Sequence, residues 1–399
     1  MRLGTSLRTR PAAATLVAAR RQMRALGISR VTDITRLDRL GLPVFASIRP
    51  RARTLHAHAG KGLRAEDAEV GALMEAIEYA VAERASAAGP DAWLPLRELA
   101  AQLPAGLRLL DFAPRLGVTL APDVLVPAVR CRDLLNRRQV LLPAGLLLMP
   151  GFEGMQSPWF GGTTNGLASG NTLDEATLHA LLEVLERDAL AMNRARDESA
   201  LLDLASLPAP WPEWAQRWRW LGVELFVRYM PNDFGLPCFE AALYEKASLD
   251  VNLCGGSGLH LDAGIALARA ISEAAQSRLS LIHGSRDDIT GFFDKYRRTD
   301  QDVRQADDEQ VVAALGDGAR RMAFGQVPSV EALGIGAALK ALLQRLAARG
   351  FGHVFRRRMQ AEGAGDLMVV KAVVARCESA AGPGARMGPR LLEKLLGSA

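Results

Sequence analysis

The sequence predicts an α+β fold in which mixed and antiparallel sheets pack against helices. Three observations lead there. Short apolar or alternating runs of strand character share the chain with longer helix-period stretches. A strand, a loop and a helix bearing two acidic or amide side chains are met in that order three times. The recurrences lie about 108 and then 90 residues apart, beyond the roughly 20–50 residues of a solenoid repeat. One fold with long insertions follows, not an array.

Residues 13–27 read as an amphipathic helix, and GLPVFASIRP (41–50) and TLHAHAGKG (54–62) as strands joined across a Pro turn. Residues 65–87 predict a long helix and 93–103 another. VLVPAVRC and QVLLPAGLLL predict a strand–turn–strand around Leu135–Asn136–Arg137. A glycine-rich loop, Gly161 to Gly170, leads to a helix from Leu173 to about Arg196, and SLPAPWPEW (206–214) is a Pro-rich connector. GVELFVRYM (222–230) and CFEAALYE (238–245) read as strands. A second glycine-rich loop, Gly255 to Gly258, opens a helix from Gly264 to His283. Residues 300–310 read as a polar loop, 335–349 as a helix, LMVVKAVVA (367–375) as a strand and Gly382 to Arg390 as a surface loop.

Composition removes several function classes. The net charge of +5 is small for 399 residues, and no run of five basic residues suggests nucleic acid as a partner. Seven arginines precede Asp33, the first acidic residue; they read as the bias of an Arg-, Ala- and Leu-rich chain rather than as a transit peptide. Cys131, Cys238, Cys254 and Cys377 are too scattered for a zinc site or a disulfide framework. No apolar run reaches the roughly 18 residues of a spanning helix. A reduced, cytoplasmic protein is expected, with no membrane association.

The chemistry lies in the three pairs: Glu75 and Glu78, Glu183 and Glu186, Glu273 and Gln276. Side chains at i and i+3 share a helix face, and like charges so placed cost a helix a few tenths of a kcal/mol, on the order of 0.2–0.5. Three such pairs point to a shared cation. Oxygen-only ligands favour magnesium over zinc, and magnesium usually arrives with phosphate. A single pair is more often a solvated helix face. Here GKG (60–62), GGTTNG (161–166) and GGSG (255–258) stand near the three helix starts, where backbone N–H groups can approach phosphate. Lys61, between two glycines, can reach a phosphate as a long cation. The phosphate-loop, nucleophile-elbow, zinc-protease and kinase signatures are missing. His260 and His283, single and near helix ends, read as structural. Trp211, Trp214, Trp218 and Trp220 read as packing or interface residues on one helix face.

These residues, in this order, resemble the YcaO superfamily. The resemblance runs from GISRVTDITRLDRLGLPVFASIRP through GKGLRAEDAEVGALMEAIE and TTNGLASGNTLDEATLHALLEVLERDA to GSGLHLDAGIALARAISEAAQSRLSLIHGSRDD. It implies a YcaO-type ATP-binding fold with three acidic helices around one nucleotide site. Residues 1–60 would be an N-terminal segment integral to the fold, 61–300 the catalytic core and 301–399 its C-terminal part. By matching position, Glu75, Glu78, Glu183, Glu186, Glu273 and Gln276 would be metal or nucleotide ligands. Lys61, Asn165, Arg278 and Arg286 would contact phosphate or nucleotide.

The family's activity is ATP-dependent O-phosphorylation of a backbone amide in a ribosomally made precursor peptide. A Cys, Ser or Thr side chain then gives an azoline, and external sulfide gives a thioamide. ATP, Mg2+, a precursor peptide and a homodimer are implied. Two positions depart from the family pattern: Gly71 stands where Ser is common, and Tyr79 where Arg is common. The ending MGPRLLEKLLGSA is not the proline-rich tail of many azoline formers, and no extra N-terminal peptide-recognition domain is expected. The opening resembles members that work beside a TfuA-like protein, a group linked to thioamides. Thioamidation is therefore the expected activity, with azoline formation as the alternative and a non-catalytic nucleotide-binding accessory as a third reading. His260, His283 and a terminal carboxylate are the candidates for a catalytic base.

Overall fold

The computed structural model describes residues 2–151, 159–248, 251–284, 301–316, 320–330, 334–361, 363, 365–379 and 386–397. A small hairpin, β1 (Arg2–Leu3) and β2 (Ser6–Leu7), leads into α1 (Ala12–Gln22). β3 (Arg30–Asp33), β4 (Val44–Ile48) and β5 (Ala57–Lys61) precede α2 (Ala65–Ala87). β6 (Ala92–Pro95), α3 (Leu96–Ala101), β7 (Leu125–Asp133), β8 (Arg138–Pro143) and the short α4 (Ala144–Leu147) follow. β9 (Leu167–Gly170) runs into α5 (Leu173–Ala195), and then come β10 (Ala200–Leu202), α6 (Trp211–Trp220), β11 (Glu224–Tyr229) and β12 (Cys238–Tyr244). β13 (Leu253–Leu259) runs into α7 (Ala263–His283). α8 (Gln301–Gly316), β14 (Arg321–Met322), α9 (Ile335–Ala348), β15 (Val354–Met359), β16 (Met368–Val374) and α10 (Pro389–Leu396) complete the described chain.

Three sheets carry the helices. One is antiparallel, in the order β3-β4-β5. The second runs β6-β7-β15-β16-β9 with β8 on β7, and the third runs β13-β12-β11-β10-β14. Most pairings are antiparallel, while β10 and β14 pair in parallel. The α+β expectation holds.

The three strand–helix units are built alike. β5 feeds α2, β9 feeds α5 and β13 feeds α7, and each helix folds back onto its own strand at backbone distance. A Cβ on Gly60 would meet Ala72 N at 2.0 Å, one on Gly170 would meet Ala176 N at 2.7 Å, and one on Gly256 would meet Ala274 N at 2.2 Å. Only glycine permits that approach. The expected loop Gly255–Gly258 is therefore strand β13, a correction with a physical cause: its glycines admit helix α7.

Other boundaries differ from expectation. Residues 93–103 split into strand β6 and helix α3, because Pro95 ends the strand and starts the helix. The connector at 206–214 already enters α6, with Pro212 in its first turn. Residues 301–310 of the expected polar loop belong to helix α8, β15 was not anticipated, and helix α10 begins within the expected loop 382–390. Trp211 and Trp218 are core, Trp218 donating to Leu40 O at 3.0 Å, while Trp220 is 82% exposed. Among the described residues no helix is long and apolar enough to cross a membrane. None of the four cysteines forms a disulfide.

Candidate functional site

α2, α5 and α7 turn their acidic faces toward one region. Glu75 and Gln276, 201 positions apart in the chain numbering and on different helices, line the same cavity of about 200 Å3, together with Lys61 and Arg269. Glu75 accepts from Ala59 N at 3.2 Å, so the strand β5 backbone orients it. Lys61, at the end of that strand, donates to Glu273 Oε2 at 2.9 Å and so joins the first unit to the third. The Oε1 of Gln276 and the Nε of Arg269 are buried without a hydrogen-bond partner among the described residues. An unsatisfied buried acceptor is costly, and an acceptor aligned with carboxylates suits a cationic guest.

Electrostatics place the remaining acids in the same neighbourhood. Burial pushes the Glu78 carboxyl well above the usual range, and the charges of Glu183 and Glu75 push it further. Burial likewise raises Glu183 to about 7, against the pull of Arg187 and Lys371. Glu273 behaves oppositely: burial favours its protonated form, but Lys61, Arg187 and Arg269 together hold it below the ordinary value. Glu186 is buried and bonded to strand β13, its Oε1 accepting from Ser257 Oγ at 2.6 Å and its Oε2 from Leu259 N at 3.0 Å. It anchors α5 to the third unit while two or more lone pairs stay open. The raised values of Glu78 and Glu183 mean that the nearby cations only partly offset the cost of burying these carboxyls together.

Among the described residues no three His, Cys, Asp or Glu side chains gather closely enough to hold a metal by themselves. Magnesium is commonly held by one or two carboxylates and by substrate phosphates, so open-spaced carboxylates around a cationic rim fit a metal–nucleotide complex better than a dedicated ion cage.

The other expected residues divide. Asn165 lies on a second, smaller cavity, and its backbone carbonyl accepts from Lys371. The guanidinium of Arg278 is engaged elsewhere: Nε donates to Asp38 at 2.9 Å, Nη2 to Glu245 at 2.5 Å and Nη1 to Val251 O at 2.9 Å. Five residues beyond Glu273, it stands about 140° around α7 from that carboxylate. Arg286 lies outside the described residues. His260 accepts from Asp262 N through Nδ1 at 3.0 Å and is 2% exposed, a brace for the start of α7. Burial lowers His283 at the far end of that helix. The departures have local causes. A Cβ at Gly71 would meet Gly60 Cα at 3.2 Å, and Tyr79 is buried with its ring 4.8 Å from that of His58.

Two features were missed. The N-terminal arm covers the main cavity: Arg8, Arg10 and Thr15 line it. Glu175, in the first turn of α5, pins the arm by accepting from Arg8 Nη1 at 3.2 Å and Thr9 N at 3.0 Å. Those arginines had been read as compositional bias, and nothing local in the sequence separates them from it. Lys371 is 1% exposed on β16, donating to Thr163 O and, at 2.6 Å, to Asn165 O, with its charge felt by Glu183 and Glu78. A signal existed here, since a lysine inside LMVVKAVVA cannot be buried without partners. The Asp of ERDA, Asp188, faces the C-terminal segment, accepting from Arg390 Nη1 and Glu378 N at 2.7 Å each.

Comparison with known proteins agrees with this geometry. The family model described as YcaO cyclodehydratase, ATP- and Mg2+-binding, matches residues 59–378. A protein of the tfuA 3′ region of Rhizobium leguminosarum bv. trifolii is 36% identical over 325 residues, 77% of this chain and 74% of its own. The structure of YcaO from Methanopyrus kandleri bound with AMPPCP and Mg2+ superposes with a TM-score of 0.72 at 23% identity, over 96% of this chain and 95% of that one. A heterocyclase in complex with substrate and cofactor gives a TM-score of 0.71 at 19% identity, over 98% of this chain and 55% of that one. With a family model covering most of its length and a fold shared from end to end, the chain belongs to the YcaO family.

Proposed function

We propose that the protein uses ATP and Mg2+ to activate a backbone amide oxygen of a ribosomally made precursor peptide, and that hydrosulfide then replaces that oxygen to give a thioamide. The observation that carries the first part is the joint cavity of Glu75, Gln276 and Lys61, with the raised carboxyls of Glu78 and Glu183 beside it. Membership of a family described as ATP- and Mg2+-binding supports it. The second part is supported by the relative from a tfuA 3′ region, which suggests a TfuA-like partner.

In this reading Glu75, Glu78, Glu183, Glu186, Glu273 and Gln276 would hold magnesium, and the unsatisfied Oε1 of Gln276 and the raised carboxyls of Glu78 and Glu183 are the features that fit it. Bound magnesium supplies charge neutralisation at the phosphate oxygens. The chain's own residues do the rest. Lys61, Arg269 and Arg8 ring the cavity with positive charge for a triphosphate. Glu273 fixes the Lys61 ammonium, and Glu175 fixes the N-terminal arm, so the cations are held in place before the nucleotide arrives. Phosphoryl transfer depends chiefly on such positioning and charge matching.

Azoline formation remains the second reading, favoured by the cyclodehydratase description of the family model. Incubation with precursor peptide, TfuA-like partner, ATP, Mg2+ and sulfide decides between them. Mass spectrometry will show sulfur in place of oxygen under the first reading and loss of water under the second. ATP binding without any change in peptide mass would leave an accessory role.

A further inference from the structure

The smaller cavity lies between the glycine-rich loop, strand β16 and the C-terminal segment. It holds about 30 Å3, room for a guest of one or two heavy atoms. Its wall includes Thr163, Asn165, Val184, Cys377, Phe112 and Arg386. Lys371, which donates to two wall carbonyls, also has its charge felt by Glu183 and Glu78, so the cavity lies toward the acidic cluster.

Two cations serve this place, Lys371 buried and Arg386 partly buried, and their visible partners are neutral. Arg386 donates through Nε to Ala113 O at 2.7 Å and through Nη2 to Phe112 O at 2.6 Å, with its guanidinium 5.5 Å from the Phe160 ring centroid. Lys371 donates to the carbonyls of Thr163 and Asn165, both on the cavity wall. Among the described residues neither cation has a carboxylate at ion-pair distance. The carboxylate Arg386 feels most is Glu378, whose oxygens are taken by Gly388 N at 2.6 Å and Leu391 N at 3.1 Å. Burial lowers the pKa of Arg386 to about 10, the mark of a cation short of counter-charge. Cations placed away from water and short of carboxylate partners favour an anion beside them. Asn165 adds a complementary group, because its Oδ1 is buried with no hydrogen-bond partner.

We propose that this cavity is a subsite for a small monovalent anion, and that its occupant in the reaction is hydrosulfide. The identification rests on the thioamide reading above. Hydrosulfide fits the wall on each count: it is small and weakly hydrated, its sulfur accepts from Arg386, and its one S–H can donate to Asn165 Oδ1. The phenyl, valine and thiol groups around it suit a soft anion better than a strongly hydrated one. Lys371 acts as a positioning residue, since it fixes both wall carbonyls and stands toward Glu183. From here sulfur adds to the carbon of the O-phosphorylated amide and the C–S bond forms. The C–O bond then breaks, and phosphate departs with that electron pair. Summed, amide, ATP and HS− give thioamide, ADP and hydrogen phosphate, the S–H proton leaving on phosphate.

The test has two arms on the full-length protein. Wild-type crystals soaked in bromide should show an anomalous peak beside Arg386, and absence of the peak overturns the subsite. In steady-state thioamidation, Arg386→Gln should raise the KM for sulfide by about tenfold or more, the loss expected for one charge-assisted hydrogen bond, with the KM for ATP nearly unchanged. Arg386→Lys should recover part of it. A bromide peak together with an unchanged sulfide KM means an adventitious ion only and sinks the role. If the wild type inserts no sulfur, the thioamide reading fails and takes hydrosulfide with it. If it inserts sulfur and the variant keeps its sulfide KM, that reading stands and this inference falls.

Discussion

Glu183 holds its proton up to about pH 7 because burial disfavours the carboxylate more than Arg187 and Lys371 favour it. Its unfolded value is 4.5, so between 4.5 and about 7 the folded state binds the extra proton. The metal-free protein therefore loses stability as pH rises through that window. A cation reverses the balance, since only the carboxylate ligates. Calorimetry in buffers of different ionisation enthalpy should show Mg–ATP binding tighten as pH approaches 7, with proton release below it and little above. Glu183→Gln should remove the share of that proton release that belongs to Glu183 and leave the share of Glu78, whose carboxyl is also raised. Arg278 gives a contrasting expectation at the same scale. Its three donating nitrogens are occupied by Asp38, Glu245 and Val251. Arg278→Leu strands the Asp38 carboxylate, leaves Glu245 with Arg39 alone, and should cost about 3–5 kcal/mol in denaturant unfolding. A raised KM for ATP at unchanged stability would instead assign it to the nucleotide.

At the scale of elements, the glycines set the distance between each strand and its acidic helix. Gly256→Ala would place a Cβ 2.2 Å from Ala274 N and 2.6 Å from Glu273 C, atoms of the α7 backbone that cannot swing aside. Thermal unfolding should show a loss of about 1–3 kcal/mol or more, with ATP hydrolysis falling as Glu273 is displaced. Wild-type stability in that variant would mean the close packing has been misread. The long helices were legible because strong helix formers run on without a proline; α2 spans Ala65–Ala87, as expected. Strand β13 was not, because glycine is a poor strand former and its reason for being there is a helix from later in the chain. α8 failed for the converse reason: a polar segment shows little local apolar stripe.

Across the whole molecule, the three acidic or amide pairs were legible in the sequence but not how the chain surrounds them. Two buried ion-pair systems hold the assembly. Arg49 Nη2 donates to Glu83 Oε2 at 2.5 Å inside the first unit, and Arg390 ties α10 to Asp188 on α5. Burial would raise Glu83, but Arg49 and Thr54 hold it below the ordinary carboxylate value. Its contribution is present above the unfolded pKa of about 4.5 and is lost as pH falls through the folded value. Arg49→Met should therefore cost stability at neutral pH and progressively less in acid, as followed by unfolding midpoints. Pairings between positions so far apart in sequence leave no local trace, and the same holds for the N-terminal arm over the cavity. Such contacts are read only once the strands are in register.

The central claim is that the acidic faces of α2, α5 and α7 form one magnesium–nucleotide site. The most direct measurement is calorimetric titration of the protein with a non-hydrolysable ATP analogue, with and without Mg2+, in wild type and in Glu78→Gln, Glu183→Gln and Gln276→Ala. Magnesium-dependent binding that each variant weakens, though the three positions lie on three helices, is the predicted result. Binding that ignores magnesium, or that survives all three substitutions in folded protein, would contradict it.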